Sequence, residues 1–135
     1  MTRRLVPVTL LLCAMAGCSD TVTSPTAVTA DVEGTFTSQL VPGGAASRAF
    51  VVASRGAVSL TLSSTTPAGI IIGLGVGIPQ ANGAGCTLNT SVETAAGATA
   101  QVTVNAESGT YCAKVYDVGN LTTSPVPFTL LISRP

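Results

Sequence analysis

The sequence predicts an all-β protein: a single jelly-roll-like antiparallel β-sandwich of about eight strands, set behind an N-terminal leader and a flexible tether. Three observations predict it. Short apolar runs alternate with polar residues at period two, and no segment past Ala30 sustains a helical period. Turn formers, including 14 glycines and 8 prolines, break these runs at spacings of ~8–12 residues, as in a sandwich. Charged residues make up only 9% of the chain, which disfavours a helical bundle with salt-bridged outer faces. A length of 135 residues sets the expectation of one domain.

Taken in order, the chain opens on an address. Met1–Arg4 is a short basic segment, and Leu5–Ala16 is apolar. A stretch of roughly a dozen residues is too short to cross a bilayer of about 30 Å as a helix. It closes on Met15-Ala16-Gly17-Cys18, which resembles the lipobox of bacterial lipoproteins. The resemblance implies cleavage after Gly17, with small Ala16 and Gly17 admitting the peptidase, and a diacylglycerol on the Cys18 thiol. Met15 stands where leucine is usual, and Cys13 is excluded because Leu12 precedes it. Ser19 follows Cys18, so the aspartate that marks inner-membrane retention is absent. The expected destination is the cell envelope, and the outer membrane in a host that has one. Acyl burial contributes about 0.8 kcal/mol per CH₂, enough for a lasting membrane anchor when several chains are attached.

The expected segments are therefore a signal peptide at 1–17, a lipidated cysteine and tether at 18–32, and the β-sandwich at 33–135. Ser19–Asp31 reads SDTVTSPTAVTAD, polar and without apolar periodicity. A threonine-rich first strand is the alternative for that stretch. With the leader gone, Arg48, Arg55, Lys114 and Arg134 stand against six acids, leaving −2. Such a domain has no basic patch and no electrostatic reason to bind nucleic acid.

The strands follow. Thr35–Val41 ends at Pro42-Gly43-Gly44, and Arg48–Ala53 ends at the Arg55-Gly56 turn. In Ala57–Ser63, Val58, Leu60 and Leu62 share one face. Ile70–Ile78 is an apolar run, Cys86–Val92 follows the Asn82-Gly83 turn, and Ala98–Val104 alternates. Thr110–Asp117 and Phe128–Ser133 complete the set. The expected core is lean and aliphatic: Phe36, Phe50, Leu60, Leu62, Ile70, Ile72, Leu74, Val102, Val104, Tyr111, Val115, Phe128 and Leu130.

Once Cys13 leaves with the signal and Cys18 is acylated, Cys86 and Cys112 remain. In an oxidising compartment an even pair bonds. The loop of about 27 residues is worth about 3.5 kcal/mol in the chain-entropy model. Cys112 alternates with Tyr111, Ala113 and Val115, so the bridge is expected on a sheet's outer surface or near an edge. Two free buried thiols are the alternative. A metal site lacks histidine and a second cysteine pair to complete it, and no cofactor is expected. The wider cysteine spacing and core tryptophan of an immunoglobulin domain are missing.

The last third contains Ser108-Gly109-Thr110-Tyr111, Val115-Tyr116 and Phe128-Thr129-Leu130. It resembles the bacterial pre-peptidase C-terminal domain, a jelly-roll sandwich appended to many secreted proteases. Phe50–Leu62 resembles that family's opening strands, so the resemblance extends over Glu33–Ser133 and is specific at its C-terminal end. It implies accessory roles, such as aiding secretion, binding substrate or packing on a partner, without catalysis. One departure is the strand after the second turn, often rich in Asp and aromatics in the family. Here it is Ile70–Ile78, which lacks the groups for calcium-assisted or aromatic contacts.

That strand places Ile70, Ile72, Leu74, Val76 and Ile78 on one face, and Ile71, Gly73, Gly75 and Gly77 on the other. Glycine weakens a strand, so a close approach is expected there. Either a bulky side chain or the disulfide covers Gly73, Gly75 and Gly77, or they form a flat docking surface for a partner, or the segment is bent. Catalytic chemistry has little to work with. Without histidine there is no imidazole base or Ser-His-Asp system. Glu93 and Glu107, as a glycosidase pair, and Lys114, as a dyad base, have no motif around them. Asp117-Val118-Gly119-Asn120 reads as a turn and offers one carboxylate, too few for tight calcium binding. The expectation is a non-catalytic envelope module binding or adhering to a protein or glycan partner. A structural envelope lipoprotein with no discrete ligand is the alternative.

Overall fold

The computed structural model describes residues 32–122 and 124–135. The lipobox, Cys18 and the tether up to residue 31 lie outside them. Eight strands follow in order: β1 (Val32–Leu40), β2 (Ala45–Val52), β3 (Gly56–Thr65), β4 (Ile72–Pro79), β5 (Cys86–Thr94), β6 (Val102–Ala106), β7 (Gly109–Tyr116) and β8 (Val126–Arg134). They form two four-stranded antiparallel sheets, ordered β1-β8-β3-β6 and β2-β7-β4-β5.

The pairings are nested. β1 joins β8, β2 joins β7, β3 joins β6 and β4 joins β5. The chain is thus a long hairpin of strand pairs rolled into a sandwich, the topology of a jelly roll. The β3–β8 and β4–β7 ladders close each sheet in the middle.

Period-two alternation fills the space between the sheets. Leu40, Val58, Leu60, Leu62, Val102, Ala106, Phe128, Leu130 and Ile132 point in from one sheet. Phe50, Val52, Ile72, Leu74, Val76, Ala113 and Val115 point in from the other. Phe128 is the largest fully buried side chain, and Phe36 meets it edge-on at 5.4 Å. The core is aliphatic, as composition predicts. Phe36, Ile70, Val104 and Tyr111 pack against it only half-buried.

Two expectations about strands need correction. Ile70 precedes β4 rather than starting it, and Ile78 is 45% exposed. The apolar ridge therefore ends at Val76, the last β4 residue in the core cluster. The strand expected at Ala98–Val104 begins instead at Val102. Gln101 is the reason: its Oε1 accepts from Leu62 N at 2.8 Å, and its Nε2 donates to Leu62 O at 3.3 Å. The carboxamide stands in for a strand backbone, and Gly97 N and Gln101 N also donate to β3 carbonyls. The polar groups of β3 are satisfied by a loop, so no strand is needed there.

Candidate functional site

Three structural features meet around β4. The first is its glycine face. Gly73 lies opposite Tyr116 in the β4–β7 ladder, and a Cβ on Gly73 would run into the Tyr116 ring. A Cβ on Gly75 would come within 2.6 Å of Thr90 O and 3.0 Å of the Leu88 side chain. At Gly77 it would collide with the Thr87 carbonyl. All three glycines are buried. The chain itself covers them, with an aromatic ring at one end and the β5 backbone at the other. The docking surface proposed from sequence is corrected accordingly: Gly73, Gly75 and Gly77 are occupied from within.

The second feature is the disulfide. Cys86 and Cys112 are bonded, with Cα atoms 5.8 Å apart. Cys86 opens β5 and Cys112 lies in β7, with β4 between these strands in the sheet order. Strands two places apart in a flat sheet would be about 9.5 Å apart, twice the usual neighbour spacing. The bridge reaches because the start of β5 leans over the outer side of β4, where Gly77 has no side chain to stop it. Near-edge placement was expected. Cys112 does lie on the sheet's outer face, opposite Gly77 and away from core residues Ala113 and Val115, yet the bridge is covered: Cys86 and Cys112 retain only 5% and 2% of their surface.

The third feature is a cleft of about 180 Å³ at the seam between edge strands β5 and β6. Val76 and Gly77 of β4, Val104 and Ala106 of β6, and Tyr111 of β7 line it. Asn89 and Thr90 of β5 and Asn105 of β6 add polar groups. Asn89 is there because of a bulge: Val76 pairs with Thr90 and Gly77 with Leu88, so Asn89 is the unmatched residue. A bulge re-aims a side chain that a regular ladder would fix in the alternation. Tyr111 is steadied from behind by Phe50, its ring stacked at 6.2 Å and 25°.

The electrostatics of the cleft are neutral. Its lining contains no acidic or basic side chain. Among the described residues, the side chains of Asn89, Thr90, Asn105 and Tyr111 have no intramolecular hydrogen-bond partner. Two other hollows, of about 520 and 260 Å³, lie along Thr61–Ala96 and around Ile70–Leu121. Neither lies at the seam between two edge strands.

The remaining sequence candidates are dispersed. Glu107 pairs with Arg55 at 3.2 Å in full solvent, a contact of little energetic weight. Glu93 sits within β5, opposite Gly73. Lys114 lies beside Tyr116, its ammonium 5.8 Å from the ring centre. Asp117 organises a turn: its Oδ1 accepts from Gly119, Asn120 and Leu121, and its Oδ2 from Gly43 N at 2.7 Å. Those bonds use the oxygens a calcium ion would need. Sequence reasoning missed Asn89, Thr90 and Asn105, and assigned Tyr111 to the core. The signal was two asparagines inside strand-like runs, where that residue is depleted.

In comparisons with known proteins, no protein-family model and no curated protein matches the chain.

Proposed function

We propose that this protein is a non-catalytic, lipid-anchored cell-envelope module that binds a protein or glycan partner at the β5–β6 cleft. One observation carries the reading: exposed Asn89, Thr90 and Asn105 on edge strands β5 and β6 border a hollow whose apolar lining is Val76, Val104 and Ala106. Such a cleft holds a ligand by hydrogen bonds and burial. The Asn89 and Asn105 carboxamides and the Thr90 hydroxyl are poor proton-transfer groups. The Cys86–Cys112 bridge fits an oxidising, exported setting. The lipobox-like Met15–Cys18 motif supports the anchor at Cys18, and the jelly roll agrees with the resemblance to the pre-peptidase C-terminal domain.

Two measurements test this reading. Cys18→Ser should shift the protein from the membrane fraction to the soluble fraction and prevent acylation, seen by mass spectrometry. Unchanged partition would overturn the anchor. The wild-type protein, immobilised, should retain an envelope component that the Asn89→Ala/Asn105→Ala double variant does not. Equal retention by both would favour passive envelope packing instead.

A further inference from the structure

We propose that the free edge of β2 pairs antiparallel with β2 of a second copy, joining a four-stranded sheet from each into one continuous sheet. The first argument is the backbone of that edge. β2 is an edge strand of 8 residues, matched to β7 without a bulge. Beside it the Asp117 N–H donates to the Gly44 carbonyl at 3.0 Å, extending the same ladder. Bonded and non-bonded positions alternate along an antiparallel ladder. Ala46, Arg48, Phe50 and Val52 therefore bond to β7. The N–H and C=O groups of Ala45, Ser47, Ala49 and Val51 point away from it.

The second argument is what the other edges have and β2 lacks. Proteins blunt free edges with bulges, short strands, charge or proline. β5 is bulged at Asn89, and β6 has only 5 residues. On β1 the Thr35 carbonyl already accepts from Arg48. Around the free groups of β2 stand Ala45, Ser47, Ala49 and Val51, all exposed and uncharged. Val51 keeps 60% of its surface. The one charge of the strand, Arg48, turns across the seam to β1 and the Phe36 ring. Strand addition needs such an unbroken run of free backbone groups.

Self-complementarity names the occupant. A two-fold pairing presents the same patch from both molecules. Centred on Ala49, it sets Ala49 against Ala49, Ser47 against Val51, and Arg48 against Phe50 of the second copy. A guanidinium beside an aromatic ring is favourable. Centred on Arg48, it would set two guanidiniums face to face, which is destabilising. The Ala49 register also covers Val51, the most exposed side chain of the large exposed hydrophobics.

The chain that precedes β1 permits the arrangement. The two-fold axis turns the starts of the two chains to opposite ends of the pair. From Cys18 to Asp31 the chain can span up to roughly 45 Å, and β2 is about 27 Å long. Two copies anchored at Cys18 can therefore lie side by side on one membrane. This last argument rests on the anchored reading, and the pairing itself does not. A single strand pair is a small interface, so it is concentration-dependent, and a shared membrane raises the local concentration of anchored copies.

The test is disulfide trapping in the full-length protein. Facing residues of a hydrogen-bonded antiparallel pair have Cα atoms about 5.5 Å apart, within disulfide reach. The double variant Ser47→Cys/Val51→Cys should run as a covalent dimer on a non-reducing gel. Ser47→Cys alone and Val51→Cys alone should stay monomeric, because neither residue faces its own copy. Adding Ala49→Lys, which sets two ammonium groups against each other at the centre, should abolish the trapped dimer with the thermal melt unchanged. Sedimentation velocity should show a concentration-dependent dimer for the wild type and a monomer for Ala49→Lys.

No covalent dimer from the double variant, equal cross-linking by either single variant, or cross-linking that survives Ala49→Lys would overturn the proposal. If no dimer forms and Ala49→Lys instead releases a retained envelope protein, a foreign strand takes this edge and the second-copy assignment falls. The gel is read on whichever fraction holds the protein, so failure of the Cys18 anchor leaves this result distinct.

Discussion

Asp117 gathers four backbone N–H groups with a single carboxylate, and in doing so joins two distant turns. The Gly43 N–H is the main reason its carboxyl is held below the ordinary aspartate value. Slight burial pushes the other way, and the Gly119, Leu121 and Asn120 N–H groups add to the lowering. Because the folded pKa is depressed, the ionised group stabilises the fold above the unfolded value, about 3.9 for aspartate. That contribution is lost as pH falls through the folded value. Asp117→Asn should therefore melt below wild type at neutral pH, and the gap should close under acid, as differential scanning fluorimetry would show. A gap that persists at the lowest pH would mean the contacts act through shape and not charge. The local Asp-Val-Gly-Asn turn was legible from residue type. The bond to Gly43 was not, because it joins residues 74 apart in sequence. The same holds for Gln101, whose amide completes the β3 ladder without any local pattern to announce it.

At the scale of the element, β4 shows why a strand can carry bare glycines. Its inner face is Ile72, Leu74 and Val76, all buried in the core. Its outer face is closed by Tyr116 and by β5. A tyrosine laid across a neighbouring glycine is a known way to recover contacts that glycine forfeits. Gly77→Ala should be the least tolerated of the alanine substitutions here, since its Cβ meets the Thr87 backbone, which cannot rotate away. Overpacking predicts a loss of about 1–3 kcal/mol, read from urea denaturation. A neutral substitution would mean that β5 lifts freely off β4. Each of the eight expected strands corresponds to one in the structure, because alternation and turn residues are local signals. The cleft was hidden because it depends on a bulge at Asn89, and register is set by the partner strand rather than by the sequence around the bulge.

For the whole molecule, the nested strand order means that nearly every ladder joins distant parts of the chain. The Cys86–Cys112 bridge fixes one of these long-range relations covalently, tying edge strand β5 to β7 across β4. Cys86→Ser/Cys112→Ser should lower unfolding stability by about 3.5 kcal/mol on the chain-entropy argument, measured by urea denaturation. A loss of much less than about 1 kcal/mol would show that the ladder holds β5 unaided. The disulfide, the all-β class and the aliphatic core follow from composition and cysteine count. The choice of jelly-roll strand order over other sandwich orders rests on pairings that no single segment encodes.

The leaning start of β5 also bears on how copies behave when crowded. The free rim of a sheet can template hydrogen bonding to a neighbouring molecule, and long flat rims invite aggregation. Here β5 is bulged and its start leans over the outer side of β4, and β6 is short. On the opposite side, Arg48 of β2 donates to the Thr35 carbonyl of β1 at 2.6 Å, stitching the two outer strands to each other. In molecules packed side by side, the β5–β6 rims would therefore break up the run of free backbone groups that a neighbour's strand needs, and the glycine positions that let the sheet curl are part of the reason.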